Sequence, residues 1–316
     1  MVVILLVNIA YMVYCKIQFS ECRYRYNRNS ALLKELIGFS SWTLLGQASI
    51  VIKNQGEAIF INRFFSVVAN AAMGVASQVT AALEMFVSNF QTAFTPQLIQ
   101  SYASGDFSNH KLLLYRASRF SYYLLLIMML PICFNIDFIL NIWLVNVPDY
   151  AGNFIVFILV SYLFNALSTP FMTSISATGK IKHYQISVTL IFLSGLVFVY
   201  LVTYFSPYPY YVSIVSIFIQ IALLISRYRY ASKHLSISGA EFFNEVLRPV
   251  IVVTLFAIIL PVLFVLVLPQ YGLLGVILVI MLEVVYTLII IYVFGMNYSE
   301  RRFVKDFMRK LLRRPS

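Results

Sequence analysis

Apolar residues in this chain come in long runs separated by short polar connections, and the runs follow one another from end to end. Nine stand out, at residues 2–15, 37–60, 67–95, 120–144, 154–176, 184–205, 210–226, 250–268 and 272–294. Crossing a hydrocarbon core of about 30 Å takes roughly 20 helical residues, or about ten strand residues in alternation. The runs have helical length and no alternation, so they predict spanning helices rather than barrel strands. The first is too short: at roughly 1.5 Å per residue it reaches only about 22 Å. The pattern is that of an all-α, polytopic membrane protein with about nine transmembrane helices, the first of them partial.

Two runs break the apolar pattern, and together they occupy residues 40–95. On the second run Ser40, Thr43, Gln47, Asn54 and Glu57 recur at helical steps, with Gly46 and Lys53 beside them. Leu44, Leu45, Ala48, Ile52 and Ile59 take the other side, while Phe39 and Ile50 interrupt the polar stripe. A spanning helix with such a stripe faces water or protein along it, because lipid tolerates few polar groups. Lys53 and Glu57 are four residues apart and can pair on one face. That pair is either a self-neutralised structural feature or a cation offered to an anionic ligand and tuned by Glu57.

On the third run Asn70, Gly74, Ser77, Ala81, Glu84, Ser88, Gln91 and Thr95 follow one another at three- and four-residue steps. Small residues in such a row let a neighbouring helix come close, so the row reads as a packing seam. A seam does not account for Glu84, which has no charged residue one turn away. A cavity-facing carboxylate fits it better, as a protonatable coupling group or as a partner for a cation.

The later runs are milder. Pro131 and Pro170 sit within spans and predict kinks. Asp137 falls near a span end, and Ser161, Asn165, Ser168 and Thr169 give the fifth run a polar face. The last two runs are nearly pure hydrocarbon, apart from Pro261 and Glu283. Glu283 is either a structural partner to a neighbouring helix or a second coupling residue.

Composition agrees with a membrane protein. Of 316 residues, 61% are hydrophobic and 11% charged, and the mean hydropathy is +0.84, which excludes an ordinary water-soluble domain. The net charge of +11 raises nucleic acid as a partner, but its distribution argues against that. All but two of the 23 Lys and Arg residues fall in alternate connections or the C-terminal tail, the exceptions being Lys53 and Arg63. That bias predicts cytoplasmic basic connections, a cytoplasmic C-terminus and contact with anionic lipid. Leu32, Leu33, Leu36 and Ile37, and the tail with Phe303, Phe307, Met308, Leu311 and Leu312, predict amphipathic helices at the membrane surface.

Candidate chemistry is sparse. Cys15, Cys22 and Cys133 have no metal-ligand spacing and read as free thiols. His110, His183 and His234 are far apart in polar connections. No phosphate loop and no acidic metal motif accompanies them, and the connections on the less basic side are short. The reading is of a protein that is not an enzyme and that calls for no metal or cofactor.

The stretch "FSSWTLLGQASIVIKNQGEAIFINRFFSVVANAAMGVASQVTAALEMFVSNFQTAFTPQLIQSYASGD" resembles the polysaccharide-export flippases of the multidrug/oligosaccharidyl-lipid/polysaccharide superfamily, close to the bacterial O-antigen flippases. The resemblance is carried by Thr95, Pro96 and Gln97, by Ser101 to Asp106, and by "SATGKIKHY" at residues 176–184. It implies two six-helix lobes around a central cavity, often followed by two extra helices.

On that mapping residues 1–36 hold the last helix of a first lobe and a connection, and residues 37–247 form a complete second lobe. Residues 248–294 are the extra pair, and residues 295–316 a basic tail. The chain is then expected to lack most of the first lobe. The activity implied is flipping of an undecaprenyl-pyrophosphate-linked oligosaccharide across a bacterial cytoplasmic membrane for surface-polysaccharide assembly. Other polysaccharide-assembly membrane proteins would be partners. Gln47, Lys53, Asn54, Glu57, Arg63 and Glu84 are the expected substrate-facing residues, with Glu84 and Glu283 for coupling. A multidrug antiporter of the same superfamily and a membrane glycan polymerase or ligase are the alternatives.

Overall fold

The computed structural model describes residues 2–19, 22, 29–235, 237–267 and 272–312. Among the described residues it is helical throughout, with no strand. In order, the helices are α1 (Val2–Gln18), α2 (Ser30–Phe64), α3 (Val67–Ala103), α4 (Phe107–Phe134) and α5 (Ile136–Trp143). They continue with α6 (Ala151–Ala177), α7 (Lys182–Phe205) and α8 (Tyr211–Leu235). The last are α9 (Gly239–Val267), α10 (Leu273–Gly295) and α11 (Tyr298–Leu312).

Eight of these (α2, α3, α4 and α6 to α10) are long and apolar enough to cross a membrane; α1 is shorter. This is a multi-pass α-helical membrane protein. Contacts divide the chain into two compact units, Met1–Ser41 and Trp42–Ser316. In the first, α1 and the opening of α2 expose nearly all of their side chains. In the second, α3, α4, α6 and α8 pack around a shared core, with α7 against α8 and α10 against α4.

Several boundaries differ from the sequence reading. The fourth span starts at Phe107 rather than residue 120 and stops at Asn135, after which the short α5 begins. Asn135 has lost helical geometry (φ −116°, ψ 24°), and its side chain closes back on the Pro131 carbonyl. Pro131 itself stays inside a helix, as do Pro170 and Pro96. Residues 30–37, expected as a separate surface helix, run without interruption into α2, with the Asn29 carboxamide accepting from the Ala31 amide at its start.

α9 carries a π-helical turn at Phe243–Leu247 and a break at Ile258, three residues before Pro261, which cannot donate to the Ala257 carbonyl. Arg23, Arg25, Arg28, Arg313, Arg314 and the connection at residues 269–271 lie outside the described residues, as do the side chains of Phe307, Met308, Leu311 and Leu312.

Buried polar groups hold the second unit together. His110, expected in a connection, is in the first turn of α4 and fully buried. Its ring lies 2.9 Å from the Leu98 carbonyl, 3.0 Å from Ser101 and 3.1 Å from Ser174, tying α3, α4 and α6 together. Arg119, counted above as surface charge, is also buried, 2.6 Å from Glu300 at the start of α11.

A polar cavity inside the bundle

α2 reaches its neighbours through small residues. A Cβ at Gly46 would collide with the Gln185 carboxamide on α7, and one at Gly56 would meet Leu196 at 2.6 Å. A side chain at either position would have to push the end of Gln185 or Leu196 aside. Phe60 and Phe64 complete the contact edge-on against Tyr200, at 5.4 and 5.7 Å between ring centres. α3 instead packs closely on α4 and α6 rather than on α2. The two helices of the 40–95 stretch therefore part company, and a cavity of about 730 Å³ lies between them.

Its walls come from α2, α3, α6, α7 and α8, all in the second unit. Opposite α2 and α3, the wall is supplied by α6 and α8. On α2, Lys53 and Glu57 are buried and pair at 2.7 Å. Ser216 on α8 closes the triangle, accepting from Lys53 at 3.0 Å and donating to Glu57 at 3.3 Å. The two charges neutralise each other, and both residues line the cavity. Gln47 and Asn54 line the cavity with exposed side chains.

α3 presents Asn70, Gly74, Ser77, Ala81 and Glu84 to the cavity. The packing-seam reading is thus corrected for Asn70 to Glu84; farther along the row, Gln91 donates to the Ala166 carbonyl on α6 at 3.1 Å, as a seam would have it. Along this part of α3 the buried residues are Ala69, Ala72, Ala76, Thr80, Leu83 and Val87, a neighbouring row, and a Cβ at Gly74 would meet nothing within 4 Å. Small side chains on the packed row let α6 and α4 approach, while the polar row turns to the cavity. Glu84 is exposed and interacts with the Tyr162 hydroxyl on α6.

The other expected residues lie elsewhere. Arg63 is exposed in the last turn of α2, where its charge complements the helix dipole, and does not line the cavity. Glu283 is buried in α10, accepting from the Asn135 amide at 3.3 Å, also outside the cavity.

One cavity residue escaped the sequence reading. Arg227 on α8 was counted with the basic connections, yet it is buried and lines the cavity. It lies 11 positions beyond Ser216, about 16 Å along the helix. Nε donates to the Tyr184 hydroxyl at 3.1 Å, and Nη1 to Asn165 at 3.2 Å and to Ser168. Nη2 has only the Met172 sulfur, at 3.9 Å, a weak acceptor. No carboxylate pairs with Arg227 among the described residues. The available signal was Asn165 and Ser168 on the polar face of α6, which need a donor at that depth. Gln220, between the two charged ends, has a buried amide oxygen with no partner among the described residues.

Fold and site together define a multi-pass helical membrane protein with a polar, charge-bearing cavity inside its bundle. No protein-family model, curated protein or solved structure matches the chain.

Proposed function

We propose that this protein flips a lipid-linked oligosaccharide, of the undecaprenyl-pyrophosphate class, across a bacterial cytoplasmic membrane for assembly of O-antigen or another surface polysaccharide. The observation that carries the reading is the buried Arg227 guanidinium, held only by neutral acceptors at one end of a polar cavity. A guanidinium without a counter-charge attracts phosphate, which it binds through paired N–H donors. Asn54, Asn70, Gln220 and Ser213 along the walls offer the mixed donors and acceptors that sugar hydroxyls need.

Separation of α2 from α3 gives such a head group a sideways route from the bilayer, while its chain stays among the exposed Leu44, Val51, Ile52 and Phe86. The Lys53–Glu57 pair braces the other end. In this scheme the basic connections and α11 face the cytoplasm, and Glu84 couples transport to an ion gradient. The activity needs no catalytic group.

A multidrug antiporter of the same superfamily is the second reading. It is favoured by the exposed Glu84 carboxylate in the cavity, which would take a cationic drug. Deleting the gene separates the two. Flipping predicts accumulation of lipid-linked repeat units and loss of displayed glycan, restored by the wild-type gene but at least about tenfold less well by Arg227→Gln or Glu84→Gln. Normal display with raised drug susceptibility supports the antiporter instead.

A further inference from the structure

A second concavity, of about 780 Å³, lies on the outside of the bundle where α7 and α8 run side by side. Its two ends differ in chemistry. At one end α8 brings Arg229 and Lys233, four residues apart and so on one helix face. Both are exposed, and neither makes an ion pair among the described residues. Hydroxyls accompany them: Tyr230 lies 3.0 Å from Ser187 and donates to the His183 carbonyl. The Ser226 hydroxyl is buried with no partner among the described residues. At the other end the lining is Leu190, Ile191, Ala222 and Ile225, with no polar group.

From Lys233 to Ala222 is 11 residues, about 16 Å along α8, or half of a ~30 Å hydrocarbon core. The groove therefore spans one leaflet, with cations at the head-group end and hydrocarbon below. We propose that it seats an anionic glycerophospholipid, its phosphate on Arg229 and Lys233 and one acyl chain against Ile191, Ala222 and Ile225. Basic pockets between helices at the membrane surface select anionic head groups by charge, and the apolar floor selects a lipid over a soluble phosphate. This site stands apart from the transport cavity and does not depend on the function proposed for it.

The test uses the full-length protein in a neutral detergent and follows its melting temperature. Dioleoyl phosphatidylglycerol is titrated against dioleoyl phosphatidylcholine and inorganic phosphate. The anionic lipid is expected to stabilise the protein by several degrees, and the other two are not. Two variants then share the burden. Arg229→Gln with Lys233→Gln removes the charges from exposed positions and is expected to weaken the titration tenfold or more. Ala222→Trp fills the apolar end without changing charge and is expected to do the same.

Equal stabilisation by phosphatidylcholine or phosphate overturns the proposal. So does a wild-type response from the Ala222→Trp protein, which would reduce the groove to surface charge, or from the double Gln protein, which would place the lipid elsewhere.

Discussion

Lys53 and Glu57 are two charges at membrane depth that neutralise each other, with Ser216 bonded to both. Removing one partner of such a pair leaves the other buried and uncompensated, at a cost of about 3–5 kcal/mol, whereas replacing both with apolar residues is often neutral. Lys53→Met alone and Glu57→Leu alone should each lower the melting temperature of the detergent-solubilised protein markedly. The double variant should recover most of the loss. If the double variant melts as low as the worse single one, the pair does not act as a unit.

At this scale the sequence was a good guide to which residues are unusual and a poor guide to how they pair. Lys53 and Glu57 are local neighbours on one helix, so their pairing could be read directly. Arg227 could not, because Tyr184, Asn165 and Ser168 come from two other helices.

α3 shows what a helix adds to its residues. Two rows run along it about a third of a turn apart, and both begin with small or polar side chains. Ala72 and Ala76 are fully buried, while Gly74 and Ser77 line the cavity. Ala76→Leu should therefore overpack the α3 interface and cost roughly 1–3 kcal/mol. A Cβ at Gly74 meets nothing within 4 Å, and Gly74→Ala replaces the poorest helix former after proline, so it should leave stability unchanged or raise it by about 0.5–1 kcal/mol. Thermal melting of the two proteins side by side checks this. The reverse order would mean that the packed row is the one with Gly74, as its sequence pattern alone suggests.

At the scale of the whole molecule, Glu300 ties α11 to the bundle. Glu300 takes Arg119 at 2.6 Å and Arg116 at 3.2 Å, and its second oxygen accepts the Asn297 amide at 2.8 Å. Arg301 adds a bond to the Met296 carbonyl at 3.0 Å. Glu300→Ala leaves the buried Arg119 without its counter-charge, so α11 should detach before the bundle melts. Limited trypsin digestion should then cut at Arg302 and Lys305 at least about tenfold faster, with the rest of the chain still resistant. Unchanged cleavage would show that α11 is held by other contacts.

What the sequence determined by itself is that the chain is a multi-pass helical membrane protein and which two long helices carry polar groups within their apolar runs. Both are local properties, fixed by the thickness of a hydrocarbon core and by the cost of polar side chains in lipid. Only the tertiary structure decided which way those helices turn. A helix may be rotated by about 100° for each residue of shift, and its rotation follows from neighbours distant in sequence. Packing against α4 and α6 turned the alanine row of α3 inward and left Glu84 facing the cavity. Acceptors on α6 and α7 drew Arg227 out of an apparent surface cluster into the wall of that cavity, and the two helices of residues 40–95 became two of its sides.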